Sequence, residues 1–76
     1  MKPNYSKQAR KFFDKHKHDE ARIKNAVKKL PLGDVTKMSG YTDRYRLRLG
    51  DYRIIFTKEG NNVFVRKIDN RGQVYK

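Results

Sequence analysis

The chain has 76 residues, a length that allows one domain with a small hydrophobic core. Twenty Lys and Arg against 8 Asp and Glu give a formal net charge of +12. That charge favours a polyanionic partner: nucleic acid, an acidic protein or an anionic membrane surface. The lack of cysteine excludes disulfides and zinc ribbons, and no apolar run is long enough for a membrane-spanning helix. The N-terminal residues lack the apolar stretch of a signal peptide, so we expect a cytoplasmic protein without a membrane partner.

A first amphipathic helix is predicted from Ser6 to about His16. The Ser6 hydroxyl can accept a hydrogen bond from a free amide of the first turn, which makes it a plausible N-cap. Apolar side chains follow at helical spacing and form one stripe. The members of this stripe are Tyr5, Ala9, Phe12 and Phe13.

A second helix is predicted after a polar break at residues 14–18, with Asp19 as its N-cap. Pro31 and Gly33 end it. Its apolar stripe consists of Ile23, Ala26, Val27 and Leu30. Together the two helices predict a helical hairpin over about residues 6–30.

Beyond Gly40 the apolar period changes from about 3.6 to 2, which indicates strands. Gly50-Asp51 is a two-residue turn in which glycine supplies a positive φ. The predicted strands and turns are Tyr45–Leu49, Tyr52–Phe56, a reversal at 59–62, Val63–Ile68, a turn at 69–72, and Gln73–Tyr75. The fold class is therefore α+β in a single domain, 1–76. An N-terminal helical hairpin packs on one face of a small antiparallel sheet of three to four strands, over about residues 43–76.

The hairpin turn fixes which side chains share a face of the sheet. It places Arg48 opposite Arg53, and Arg46 lies on the same face as both. The other face has to cover the helices with Leu47, Leu49, Tyr52, Ile54 and Phe56. Because like charges directly opposite across strands are destabilising, three arginines together favour a phosphate-binding surface. A solvated basic face that keeps the protein in solution is the alternative.

The stretch from Gly40 to Phe56 resembles the central signature of the RelE/ParE toxin superfamily. Residues 6–12 and the helix end at Leu30-Pro31 resemble the helical part of that family, and residues 68–75 resemble its C-terminal turn. The strand that precedes the first helix in the family is reduced here to about residues 2–5. RelE-like members cut messenger RNA in the ribosomal decoding site without a metal ion. The resemblance therefore implies a metal-independent endoribonuclease with no cofactor, whose partners are the ribosome, its mRNA and a cognate antitoxin.

The resemblance also implies site residues, position by position. The catalytic set is Arg46, Arg48, Arg53, Arg71 and Tyr75. The RNA-binding set is Arg44, Arg46, Arg48, Lys67 and Lys76. Asn70 departs from the His or Lys that many relatives have, so the resemblance implies no proton transfer there.

The chemistry of RNA cleavage limits which residues are needed. RNA carries its own nucleophile, the 2′-OH, so the protein has to supply geometry, charge stabilisation and proton transfer. Arginine is no ordinary base, and His16 and His18 are expected in a solvated loop away from the arginines. Tyr75 is then the best candidate for proton transfer, because nearby cations would lower its pKa. A Tyr75 that packs on the sheet or frays in solvent is the alternative.

Three functions remain open at this point. One is a ribosome-dependent mRNA endonuclease toxin, the second a ParE-like toxin that inhibits DNA gyrase, and the third a non-catalytic basic RNA-binding module. The acidic residues show no metal-ligand spacing, and Tyr45, Phe12 and Phe56 are expected in the core. For either toxin we expect an antitoxin with an acidic or amphipathic segment that covers this domain.

Overall fold

Five strands and two helices make up the part of the chain that the structure, a computed structural model, describes: residues 2–40 and 43–70. In chain order they are β1 (Lys2–Tyr5), α1 (Lys7–Lys15), α2 (Lys17–Lys28), β2 (Asp34–Lys37), β3 (Arg44–Leu49), β4 (Tyr52–Glu59) and β5 (Asn62–Asn70). The predicted α+β class is confirmed. The predicted turn at 69–72 is wrong in its first part, because β5 continues through Asn70.

The strands form one sheet in the order β1-β5-β4-β3-β2. The sheet therefore has five strands rather than the expected three to four. It is also mixed, because β1 pairs parallel with β5 while the other neighbours are antiparallel.

Composition and periodicity give little sign of the two edge strands, although the family resemblance places a short strand at about residues 2–5, where β1 lies. β1 has four residues and contains Pro3, which a sheet accepts at an edge because proline cannot donate to the ladder. β2 also has four residues and a single apolar side chain, Val35, so it shows no alternation. Pairing with long neighbours stabilises both strands more than their own composition does.

The N-cap predicted for the first helix is confirmed. Ser6 Oγ accepts from the Ala9 backbone N–H at 3.1 Å. The N-cap predicted at Asp19 is wrong, because α2 begins at Lys17 and His16 alone separates the helices. Asp19 lies instead in the first turn of α2, where a carboxylate interacts favourably with the helix dipole.

The β3–β4 hairpin has the predicted register. Leu49 pairs with Tyr52, and Arg48 pairs with Arg53. Gly50 has the positive φ that the turn requires, +58°. A Cβ at this position would also lie 2.8 Å from an Arg22 guanidinium nitrogen, so the end of the Arg22 side chain would have to move.

The hydrophobic core lies between the helices and one side of the sheet, which we call the covered face. Ile23 of α2 and Ile54 of β4 are completely buried. The other core side chains are Ala9, Phe13, Val27, Leu30, Leu47, Tyr52, Phe56, Val63, Val65 and Ile68. Phe12 and Tyr45 pack against this core, as predicted.

A β-bulge interrupts the pairing of β4 with β5. Ile55 pairs with Lys67 and Phe56 with Val65, so Arg66 is the additional residue in β5. The bulge reverses the alternation along β5. Val65 and Ile68 both face the core, although strict alternation would place them on opposite sides.

Candidate nucleic-acid interface

The side of the sheet away from the helices, which we call the open face, carries the predicted arginines. Arg48 and Arg53 pair directly across β3 and β4. Arg46 lies two residue pairs further along, opposite Ile55, and is half-buried. The predicted placement of these three arginines on one face is confirmed.

Two carboxylates flank the arginine pair, which the sequence interpretation did not anticipate. Asp69 Oδ2 lies 3.3 Å from Nη2 of Arg53, its partner across β4 and β5. On the other side, Asp34 of β2 pairs with Arg48. One row across four strands therefore reads Asp34, Arg48, Arg53, Asp69. The repulsion between the like charges is offset within the fold, because each arginine also has an acidic neighbour across the sheet.

Asp69 reaches the open face because of the bulge at Arg66. Without that additional residue, Asp69 would follow Val63 and Val65 onto the covered face. The bulge places Lys67 on the open face as well, and Lys67 Nζ lies 3.7 Å from Asp69 Oδ1. The bulge thus sets the charge of the open face along β5.

Two of the arginines keep an unused donor. The Nε atoms of Arg46 and Arg53 are buried and have no hydrogen-bond partner among the described residues. A buried N–H without a partner costs free energy that an acceptor would recover. An anionic oxygen that reached these guanidinium groups could satisfy such a donor.

The predicted site residues divide into three groups by position. Arg46, Arg48 and Arg53 lie together, with Lys67 beside them opposite Ile55. Arg44 lies at the far end of the same face, where it pairs with Thr57. The other predicted residues, Arg71, Tyr75 and Lys76, fall outside the described residues.

The hairpin that carries the arginines is attached to α2 through Tyr52. Its hydroxyl donates a hydrogen bond to Asp19 Oδ2. This hydrogen bond raises the pKa of Tyr52, and burial of the phenol raises it further. The Arg22 guanidinium carbon lies over the Tyr52 ring, 5.8 Å from its centroid. Nη1 of the same arginine lies 3.8 Å from Asp19 Oδ1. Because Arg53 follows Tyr52 in the chain, these contacts of Tyr52 fix the position of Arg53 relative to α2.

His16 is not the solvated loop residue that the sequence predicts. Its ring stacks on Phe12 with centroids 4.1 Å apart and lies edge-on to Tyr52 at 6.1 Å. It is half-buried at the junction of the helices. His16 nevertheless lies on the helix side of the sheet, away from the arginines, as predicted.

Sequence reasoning also missed an aromatic side chain on the open face. Phe64 of β5 is 40% exposed, between the fully buried Val63 and Val65. The Arg66 guanidinium lies 5.2 Å from its ring centroid. Strict alternation between two buried valines was the signal that could have found it.

Over 2–40 and 43–70, no three His, Asp or Glu side chains lie close enough together to hold a metal ion. Within the same ranges, neither helix has the length and hydropathy needed to cross a membrane.

Known proteins were compared with this chain at three levels. No family model matches it. The toxin RelE3 of Methanocaldococcus jannaschii is 33% identical over 57 residues, which cover 75% of this chain and 64% of that toxin. In the crystal structure of the RelB-RelE antitoxin-toxin complex from Methanococcus jannaschii, a chain aligns with 30% identity over 93% of both chains and a TM-score of 0.71. The chain belongs to the RelE/ParE toxin superfamily.

A second archaeal structure agrees with this assignment. In the RelE-RelB complex from Pyrococcus horikoshii OT3, the match covers 95% of this chain and 96% of that one, with 26% identity and a TM-score of 0.70. The superfamily predicted from residues 40–56 is therefore confirmed, and the likeness covers nearly the whole chain.

Proposed function

We propose that this RelE-like chain is the toxin of a type II toxin–antitoxin module and cleaves messenger RNA in the decoding site of the ribosome. The observation that carries the proposal is the grouping of Arg46, Arg48 and Arg53 on an open sheet face in a member of a toxin superfamily. Arginine donates hydrogen bonds in a planar fork that matches a phosphate. These three side chains therefore hold the scissile phosphate.

The proposed reaction is transfer of the phosphodiester to the neighbouring ribose oxygen. The 2′-oxygen forms a bond to phosphorus, the bond to the 5′-oxygen breaks, and a 2′,3′-cyclic phosphate and a 5′-OH result. Arg53, with Arg71 of the C-terminal residues, stabilises the negative charge that builds on the phosphate. No step is assigned to a metal ion.

Proton transfer is assigned to Tyr75. Its phenolate accepts the proton of the 2′-OH, and the departing 5′-oxygen takes up a proton from water. The cationic face favours the phenolate, because opposite charges nearby stabilise the ionised form. Asn70 cannot take this role, since an amide side chain does not titrate.

The predicted RNA-binding residues extend the face beyond the scissile phosphate. Arg44 lies two residues from Arg46 along β3, and Lys67 pairs across from Ile55 in β5. These two, with Lys76, contact neighbouring phosphates and position the message without reading its sequence.

The proposed regulator is a cognate antitoxin. The archaeal structures that this chain resembles are RelB-RelE complexes, which supports a partner of that kind here. An acidic segment fits a chain of net charge +12 and speeds encounter through opposite charge.

A single-turnover assay on programmed ribosomes tests the proposed activity. Arg53→Ala, Arg71→Ala and Tyr75→Phe should each retain the fold and slow cleavage, the arginine variants by about 10²–10³-fold. Arg10→Ala is the matched control, because Arg10 is exposed on α1, on the other side of the sheet. Wild-type protein that leaves ribosome-bound mRNA intact would refute the proposed activity.

A further inference from the structure

We propose that Phe64 and Arg66 form a nucleobase subsite on the open face, one that takes a base carrying an exocyclic amino group. The inference rests on the proposed function, since it names how a nucleotide near the scissile phosphate is held. Phe64 is one of two large apolar side chains exposed in the described residues, and the other, Leu32, lies outside the sheet.

The exposed ring has the surroundings of a stacking platform. The Arg66 guanidinium carbon lies 5.2 Å from the Phe64 ring centroid, so a guanidinium group and an aromatic ring occur together here. Unpaired RNA bases stack on both kinds of group. Phe64 is also held firmly, because Val63 and Val65 on either side are completely buried in the core.

The subsite lies within reach of the arginines. Phe64 pairs with Thr57 of β4, which is four residues beyond Arg53 on the same face. At about 3.3 Å per residue, Arg53 and Thr57 are about 13 Å apart along β4. A single strand whose phosphate rests on Arg48 and Arg53 can therefore reach Phe64 with a nearby base.

The polar lining of this end of the face offers hydrogen-bond acceptors to a base. The depression beside Phe64 is lined by two carboxylates and two cations, together with neutral polar side chains: Asp43, Glu59, Lys58, Arg66, Asn4, Thr57 and Asn62. The two carboxylates can accept hydrogen bonds from a base amino group, as Asp and Glu do with cytosine.

The test compares single-stranded RNA hexamers of equal charge in fluorescence anisotropy. Wild-type protein should bind hexacytidylate more tightly than hexauridylate, whose bases lack the amino group. Both should bind more tightly than a hexamer of abasic ribose phosphates. Phe64→Leu should weaken hexacytidylate binding about tenfold, the size expected for loss of one base–aromatic stack. It should leave the affinity for the abasic hexamer unchanged.

Two variants separate stacking from loss of apolar surface. Phe64→Tyr retains an aromatic ring and should bind hexacytidylate like the wild type. Leu32→Ala removes the other exposed apolar side chain and should also leave RNA binding unchanged. Circular dichroism melts of each variant confirm that the fold is retained.

The outcomes distinguish this inference from the proposed function. Equal affinity of wild-type protein for the abasic hexamer and hexacytidylate overturns the subsite, as does an unchanged affinity in Phe64→Leu. If cleavage on ribosomes persists, the proposed function stands. If Phe64→Leu lost affinity for an acidic helical peptide and kept its RNA binding, Phe64 would be assigned to a protein partner instead. Wild-type protein that neither binds RNA nor cleaves it would remove both proposals.

Discussion

The two faces of the sheet owe their properties to different physics. On the covered face, Leu47, Ile54 and Val65 are 2% exposed or less, and their contribution comes from burial, which has no direction. On the open face, the contribution of Arg53 depends on which charge lies opposite, because Asp69 is 3.3 Å away. A change on the covered face should therefore affect whether the chain folds. A change on the open face should affect what the folded chain binds.

The largest effect is expected where neighbouring residues of β4 face opposite ways. Ile54 is completely buried on the covered face, whereas Ile55 is half-buried on the open face. Ile54→Ala should lower the free energy of unfolding by about 2–5 kcal/mol, because it removes buried methyl groups and leaves a cavity. Ile55→Ala, the matched control, should cost about 1 kcal/mol. Urea denaturation of both variants measures the difference, and equal losses would contradict the two-face description.

The covered face could be predicted from sequence because it depends on alternation. The apolar side chains of residues 45–56 alternate, so only one orientation of the hairpin turns them towards the helices. The two-residue turn at Gly50-Asp51 fixes the register of that hairpin. The arginine placement followed from the same register. This part of the candidate site therefore needed no knowledge of the remaining strands.

The carboxylates of the open face could not be predicted, for a topological reason. Asp34 lies in a four-residue strand with one apolar side chain, so its pairing with Arg48 leaves no periodic signal. Asp69 reaches Arg53 through the bulge at Arg66, which reverses the alternation of β5 without an evident sequence cue. Phe64 was overlooked because only the charged residues of the sheet and Tyr75 were considered for the open face.

The next effect should connect the two faces. Tyr52 packs on the covered face, and its hydroxyl bond to Asp19 fastens the hairpin that carries Arg53. Tyr52→Phe should lower the free energy of unfolding by about 1–2 kcal/mol, in the lower range for a hydrogen bond to a charged group. RNA cleavage should also fall if this contact positions the hairpin. Denaturation and single-turnover cleavage measured together decide whether the covered face sets the geometry of the open one.

A smaller effect should come from the carboxylate built into the arginine row. Asp69 competes with any phosphate for Arg53, so Asp69→Asn should tighten hexauridylate binding several-fold at low salt. The slope of log K against log salt should steepen by up to about one unit, because one more phosphate can be neutralised. Anisotropy titrations over a range of salt concentrations measure both quantities.

Asp14→Asn is the control for net charge. Asp14 is exposed on α1, so this variant makes the same change of charge far from the open face. Equal tightening by both variants would mean that overall charge explains the effect. Weaker RNA binding in Asp69→Asn would instead show that the carboxylate holds Arg53 in a productive position.

The smallest effect is expected at Tyr5, a covered-face residue with an unsatisfied polar group. Its hydroxyl is buried without a hydrogen-bond partner among the described residues. Burial, with a smaller effect of Glu20, raises its pKa from 10.0 to about 12. Tyr5→Phe keeps the edge-on contact with Phe13 and removes the hydroxyl, so at neutral pH the free energy of unfolding should stay level or rise by about 0.5 kcal/mol.

Alkaline pH should enlarge this difference. The folded state favours the neutral phenol, so the stability from Tyr5 is fully present below pH 10.0 and is lost as pH rises towards 12. The wild type should therefore lose more stability than Tyr5→Phe between neutral pH and about pH 11. The other ionisable groups are the same in both proteins, so their contribution cancels in the difference. Urea denaturation of both proteins at each pH measures the difference in their free energies of unfolding. A difference that stays constant with pH would show that Tyr5 titrates alike in the folded and unfolded chain.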